Sequence, residues 1–129
     1  MPIPTSLSCS EPDYDDRLWR TLQLAFAGWQ ADVRCLLRQR CSTAPDHRAA
    51  RRLPADALQG LISLDARSLA AAPLRAGIVL FDDLLTSGKH YRCCEGHLRA
   101  WFPGVPISGC FIARRALPTR WRWRAGYGN

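Results

Sequence analysis

Apolar residues recur along this chain with two different periods, and the switches between them mark the elements. Leu18, Leu22, Ala25, Phe26 and Trp29 stand at i, i+4, i+7, i+8 and i+11, which predicts an amphipathic helix with a core-facing stripe. Asp13 is placed to cap it, Asp15 and Asp16 suit the positive end of its dipole, and Gly28 marks its end. Asp32 to Leu37 reads as a short strand with Val33, Cys35 and Leu37 on one face. Residues 38 to 52 are polar, basic and turn-rich, which predicts an exposed loop. Pro54 can open a short helix through Leu58, because its missing amide proton is not needed there. Residues 61 to 75 are ambiguous, with a second helical stretch from Ala66 to Ala72 that Asp65 could cap.

From Gly77 the pattern sharpens. Ile78-Val79-Leu80-Phe81 is a continuous apolar run, as expected of a parallel strand covered on both faces. Tyr91, Cys94, Leu98, Trp101 and Phe102 then line one helical face, and Pro103-Gly104 ends that element. Val105 to Ala113 reads as another buried strand, and Pro2-Ile3-Pro4 as a strand end. Strands alternating with helices predict an α/β fold, an open and mostly parallel sheet flanked by helices and joined by right-handed crossovers.

Composition narrows this only a little. At 129 residues and 47% apolar content the chain can build one core. It has no membrane-spanning run and no basic-then-apolar leader at its start, so a cytoplasmic protein with no membrane partner is expected. The six cysteines (Cys9, Cys35, Cys41, Cys93, Cys94, Cys110) show no Cys-x-x-Cys spacing and read as reduced thiols, mostly small core residues. Adjacent Cys93 and Cys94 point about 100° apart on a helix and cannot form a ligand pair. The net charge of +7 lies mostly beyond Glu95, the last acid, where Arg99, Arg114, Arg115, Arg120, Arg122 and Arg124 follow.

The candidate chemistry lies between the two late elements. Asp82 and Asp83 follow the apolar strand at the end where ligands sit in open α/β sheets. Thr86-Ser87-Gly88-Lys89-His90 then turns into a helix, whose free N-terminal amides can cradle a phosphate. Thr86 and Ser87 add hydroxyl donors, and Gly88 permits close approach. Carboxylates accept from a ribose diol and would repel a phosphate, so the two sets must grip opposite ends of one ligand. The plainer alternative is an acidic turn followed by a helix cap.

Residues Val79 to Gly88 resemble the phosphoribosyl-diphosphate (PRPP) motif of type I phosphoribosyltransferases. The wider chain is similar to the amidophosphoribosyltransferase-like and competence-protein ComF branch of that family. Pro2-Ile3-Pro4 stands where that branch has a proline-rich strand end. Leu37-Arg38-Gln39-Arg40 and Thr43-Ala44-Pro45-Asp46-His47, up to Arg51-Arg52, match its strand, its Thr-x-x-x-His or Thr-x-x-x-Gln loop and its basic patch. Phe111-Ile112-Ala113-Arg114-Arg115 matches its closing strand.

The resemblance implies a minimal type I phosphoribosyltransferase-like core over residues 1 to 115, followed by a basic aromatic tail at 116 to 129. It implies that Asp82 and Asp83 are the catalytic pair and hold the ribose hydroxyls. Thr86, Ser87, Gly88, Lys89 and His90 would hold the 5′-phosphate, with Arg17 or Arg40 reaching the pyrophosphate. The Mg²⁺ cofactor would be held mainly by the substrate. A nitrogen nucleophile would displace pyrophosphate from PRPP, and a nucleoside monophosphate is the corresponding product-like ligand. The alternative is a non-catalytic PRPP or nucleotide sensor, or a nucleic-acid-binding regulator of the same fold.

Trp121, Trp123 and Tyr127 interleave with Arg120, Arg122 and Arg124, a composition that can stack bases and contact phosphates. It equally suits a cationic tail docked on the body or on a second subunit, so a homodimer is a candidate state. His47 and His97 read as surface or packing residues.

Overall fold

The computed structural model describes residues 1–43, 55–70 and 77–115. The tail at 116–129, His47, the group Arg48, Arg51 and Arg52, and Pro54 all lie outside the described residues. Helix α1 spans Arg17–Ala25 and strand β1 Leu37–Gln39. Helix α2 (Ala55–Leu61), strand β2 (Ile62–Leu64) and helix α3 (Ala66–Ala70) follow. Strand β3 (Ile78–Leu85), helix α4 (Lys89–Trp101) and strand β4 (Ile107–Arg114) complete the order.

The strands form two pairs. β3 and β4 are parallel, with Ile78 opposite Ile107 and Leu80 opposite Gly109, and α4 is their crossover. β1 and β2 are antiparallel, with Leu37 opposite Leu64 and Gln39 opposite Ile62. The expected open, mostly parallel sheet therefore takes a coarser form, a mixed α/β arrangement with one parallel pair flanked by helices. The N-terminal segment joins β3 from its other side. Pro2 bridges Phe81 in parallel sense, the Ile3 amide donates to the Phe81 carbonyl at 2.8 Å, and the Phe81 amide donates to Met1 at 2.8 Å.

Several element boundaries differ from the sequence expectation. β3 runs past Phe81 to Leu85, because Asp82, Leu84 and Leu85 continue the ladder opposite Phe111, Ala113 and Arg114. The acidic pair thus sits inside a strand rather than in the loop that leaves it. The expected strand from Asp32 to Leu37 begins only at Leu37, where its partner β2 starts to pair. β4, expected to be buried, is mostly exposed, and Ile112 shows 68% of its surface.

α1 stops at Ala25, short of Gly28, and of the predicted stripe only Leu22 is buried. Phe26 and Trp29 pack on each other edge to face at 6.4 Å instead of entering the core, leaving Trp29 74% exposed. Asp15, not Asp13, serves the first turn, accepting the Arg17 amide at 3.0 Å. Asp65 caps α3 as expected, accepting the Arg67 amide at 3.3 Å and the Ser68 hydroxyl at 2.7 Å. It also pairs with Arg38 at 2.7 Å, tying α3 to β1.

The core gathers Ile3, Leu36, Leu37, Ile62, Ile78, Leu80, Cys93, Cys94 and Leu98. Leu80, Cys94 and Leu98 are fully buried where α4 lies on β3. Burying such a leucine contributes about 1.5–3 kcal/mol, so this contact anchors the crossover. His97 extends it toward α2, meeting the Gln59 carbonyl at 2.9 Å while stacking on Trp101 at 5.0 Å.

All six cysteines are free thiols. Cys93 and Cys94 are core residues and Cys35 is half-buried, whereas Cys9, Cys41 and Cys110 are exposed, fewer in the core than composition suggested. Among the described residues no helix is long and apolar enough to cross a membrane.

Candidate functional site

Three parallel stretches (Met1–Ile3, β3 and β4) point their carboxyl ends the same way, and connections at that edge enclose a cavity. The cavity has a volume of about 140 Å³. The end of β3 and the turn after it supply Asp82, Leu84, Leu85, Thr86, Ser87 and Gly88, and the first turn of α4 supplies Lys89, His90 and Tyr91. Ser6 comes from the N-terminal segment, Gln39 from the end of β1, Thr43 from just beyond it and Leu58 from α2. The Thr43 amide donates to the Ser6 carbonyl at 2.8 Å, which closes that wall. A drug-sized ligand occupies roughly 300–1,000 Å³, so this cavity suits one end of an extended ligand.

The turn has a local cause. Gly88 caps α4 with φ at 69°, a left-handed conformation that other residues adopt only at a cost. That twist starts α4 at Lys89, and a helix has no preceding turn of its own to offer carbonyls to its first amides. The Lys89 amide donates to the Ser87 hydroxyl at 3.4 Å, a long bond within the turn. Arg92, one turn into α4, donates to the Ser87 carbonyl at 3.2 Å and holds the turn from behind.

The acidic pair divides across the sheet. Side chains alternate along a strand, so Ile78, Leu80 and Asp82 share the α4 face while Val79, Phe81 and Asp83 share the other. Asp82 lines the cavity, whereas Asp83 is exposed and does not. Burial pushes the Asp82 carboxyl up to about 6, partly offset by the Asp83 amide, which donates to Asp82 Oδ1 at 3.0 Å. A carboxyl titrating near 6 can either take or hold a proton close to neutral pH.

Of the residues singled out from sequence, the fold thus brings Asp82, Thr86, Ser87, Gly88, Lys89 and His90 to one cavity and leaves Asp83, Arg17 and Arg40 out of it. Arg17 grips Asp15, with Nη2 to Oδ2 at 2.6 Å, and holds that carboxyl down to about 2. Asp15, and to a smaller degree Asp83, in turn keep the Arg17 guanidinium above its ordinary value. Arg40 is exposed at the end of β1, where its amide pairs with the Leu61 carbonyl at 2.7 Å.

Sequence reasoning missed Ser6, Gln39, Thr43 and Tyr91. Gln39 is the most informative of these. It is a polar residue only 4% exposed, in a strand position where a buried glutamine needs a reason. Its Nε2 donates to the Cys41 carbonyl at 3.0 Å, and its Oε1 is buried with no hydrogen-bond partner among the described residues. Flipping the amide would set two acceptors against each other, so the nitrogen belongs on the Cys41 side. A buried acceptor left unpaired costs about 1–3 kcal/mol.

Among the described residues no three His, Cys, Asp or Glu side chains converge on a metal-sized site. Mg²⁺ usually takes one or two carboxylates together with phosphate oxygens and water. Asp82, which lines the cavity, would be the carboxylate to make that contact, with the remaining positions left to a ligand and water.

No protein-family model, characterised protein or solved structure matches this chain. The fold and cavity define a class, a small mixed α/β protein with an acid and a donor-rich turn at the carboxyl edge of a parallel strand pair, and what that cavity binds rests on its own chemistry.

Proposed function

We propose that the chain binds PRPP or a nucleoside monophosphate at the cavity between Asp82 and the turn Thr86–His90, and acts as a phosphoribosyltransferase. One observation carries the reading. Asp82, the hydroxyl residues Thr86 and Ser87 and the start of α4 line the same small cavity, a set suited to the hydroxyl and phosphate ends of one sugar phosphate. The phosphate lies against Thr86, Ser87 and the amides of Lys89 and His90. Asp82 accepts from the ribose and lies close to the anomeric carbon, where a carboxylate stabilises developing positive charge. A Mg²⁺ ion held mainly by the substrate would supply charge neutralisation for pyrophosphate, and Asp82 would be the cavity carboxylate able to contact it or its water shell.

A second reading has its own support. With Asp83 on the opposite face and Arg17 engaged by Asp15, the cavity has, among the described residues, neither the second acid nor an arginine facing pyrophosphate. A non-catalytic PRPP or nucleotide sensor needs neither.

Calorimetric titration with PRPP and Mg²⁺ tests the common element, and pyrophosphate release across a panel of bases and amines separates the two readings. Binding with release above that of the double variant Asp82→Ala, Asp83→Ala supports the transferase. Binding without release leaves the sensor, and absence of binding removes both. A nucleic-acid role for the tail predicts salt-sensitive binding that disappears when residues 116–129 are deleted.

A further inference from the structure

We propose that Gln39 is a specificity-determining contact of this site, its side-chain carbonyl oxygen accepting a hydrogen bond from a ring hydroxyl of a pentose 5-phosphate. The inference rests on the sugar-phosphate reading above and adds to it the residue that selects the sugar. Gln39 stands apart from the acidic strand and the phosphate turn, at the end of β1, yet lines the same cavity.

Its two polar atoms have different fates. Nε2 is committed to the Cys41 carbonyl, while Oε1 is buried with no hydrogen-bond partner among the described residues. Buried polar atoms in folded proteins are nearly always paired, so an exception beside a cavity marks a place where a ligand completes the bonding. The missing partner must be a donor, because the orphan atom only accepts. A phosphate oxygen at neutral pH offers no proton and would be repelled, whereas a sugar hydroxyl offers one. Asp82, on the same cavity, also accepts, and two acceptors lining one cavity suit a hydroxyl-rich ring rather than an anion.

The donors at Thr86 to His90 fix where the phosphate goes, so the ring falls toward Asp82 and Gln39. Oε1 is covered in the ligand-free fold, so meeting an incoming hydroxyl requires the amide to turn about its soft terminal torsion, which loosens the Nε2 bond to Cys41. Thr43 and Ser6 border Gln39 and hold the wall it stands in through the Thr43 amide and the Ser6 carbonyl.

The test compares ligands that differ by one hydroxyl. Ribose 5-phosphate, its 2-deoxy and 3-deoxy forms, and inorganic phosphate are titrated into the full chain and into Gln39→Met, which keeps the side-chain length and removes the acceptor. The expected result is that wild type prefers ribose 5-phosphate over one deoxy form by about tenfold. Gln39→Met shrinks that preference to within about twofold and leaves inorganic phosphate affinity unchanged. A variant that keeps the preference, or that loses phosphate and sugar phosphate equally, overturns the proposal.

Wild type that binds ribose 5-phosphate without regard to its hydroxyls also overturns it, while leaving the sugar-phosphate reading intact. Wild type that binds none of the probes removes both. Should Gln39→Met fail to fold, wild type labelled with ¹³C at glutamine carbonyls answers the question. The Gln39 resonance should shift with ribose 5-phosphate and stay in place with inorganic phosphate, and an equal response to the two overturns the assignment.

Discussion

The two faces of strand β3 have been finished to different degrees. On one face Leu80 belongs to one core cluster with Cys94 and Leu98 of α4, and all three are fully buried. On the other, Val79 is 51% exposed, and a cavity of about 500 Å³ lies between the strand and α1, lined by Leu22, Phe26, Val79 and Phe81 among others. The same strand carries Asp82 on the finished face and Asp83 on the open one. The difference teaches where chemistry can develop. On the packed face burial raises the Asp82 carboxyl, and there the turn and β1 line a cavity beside it.

The largest break in this comparison should come from Leu98→Ala. Removing a fully buried leucine from the α4 side should lower stability by about 2–5 kcal/mol, whereas Val79→Ala on the open side should cost under about 1 kcal/mol. Urea denaturation of the two variants reads the contrast, and equal losses would mean the open face is packed in solution.

Gly109→Ala comes next. A methyl there would stand 2.7 Å from Tyr91 Cε2 and 2.8 Å from Phe111 Cε2, rings that pack edge to face at 5.5 Å. We expect a loss of about 1–3 kcal/mol by overpacking, again read by denaturation.

Gly88→Ala should cost about 1–2 kcal/mol through its left-handed backbone alone, since the added methyl would meet only Leu85 Cδ1 at 3.5 Å and Arg92 Nη1 at 3.8 Å. Phosphate affinity should fall with it, because the turn that presents the amides is disturbed.

Asp82→Asn should act through pH. Burial raises Asp82 from 3.8 to about 6, so the folded chain holds this proton more tightly than the unfolded one. Its contribution to stability is therefore full below about pH 3.8, declines as pH rises and is lost above about pH 6. Two pKa units correspond to roughly 3 kcal/mol. Asp82 is only half-buried, and screening by water should leave about 1 kcal/mol. Asp82→Asn should thus be more stable than wild type by that amount at pH 7 and no more stable at pH 3.5, while ribose 5-phosphate affinity falls. Asp83→Asn should be the smallest change, within about 0.5 kcal/mol at either pH, and should weaken ribose 5-phosphate binding less than Asp82→Asn.

Some of this architecture was legible in the residues alone. The stripe Tyr91, Cys94, Leu98 placed α4, the run Ile78–Phe81 placed the start of β3, and Asp65 announced the cap of α3. Each is a local signal, in which spacing or a single side chain decides the backbone. The turn at Thr86–His90 belongs with them, because Gly88 and the residues around it dictate its shape.

What only the tertiary structure decided depends on partners distant in sequence. The end of β3 moved past the acidic pair because β4 continues the ladder to Arg114, and that extension set Asp82 and Asp83 on opposite faces. Phe26 and Trp29 kept the helical spacing of a core stripe but found no surface to enter. Gln39 came to the cavity through the pairing of β1 with β2, which no residue near Asp82 encodes. Periodicity fixes which way a side chain leaves its own element, but what it then meets is set by chain segments folded against it.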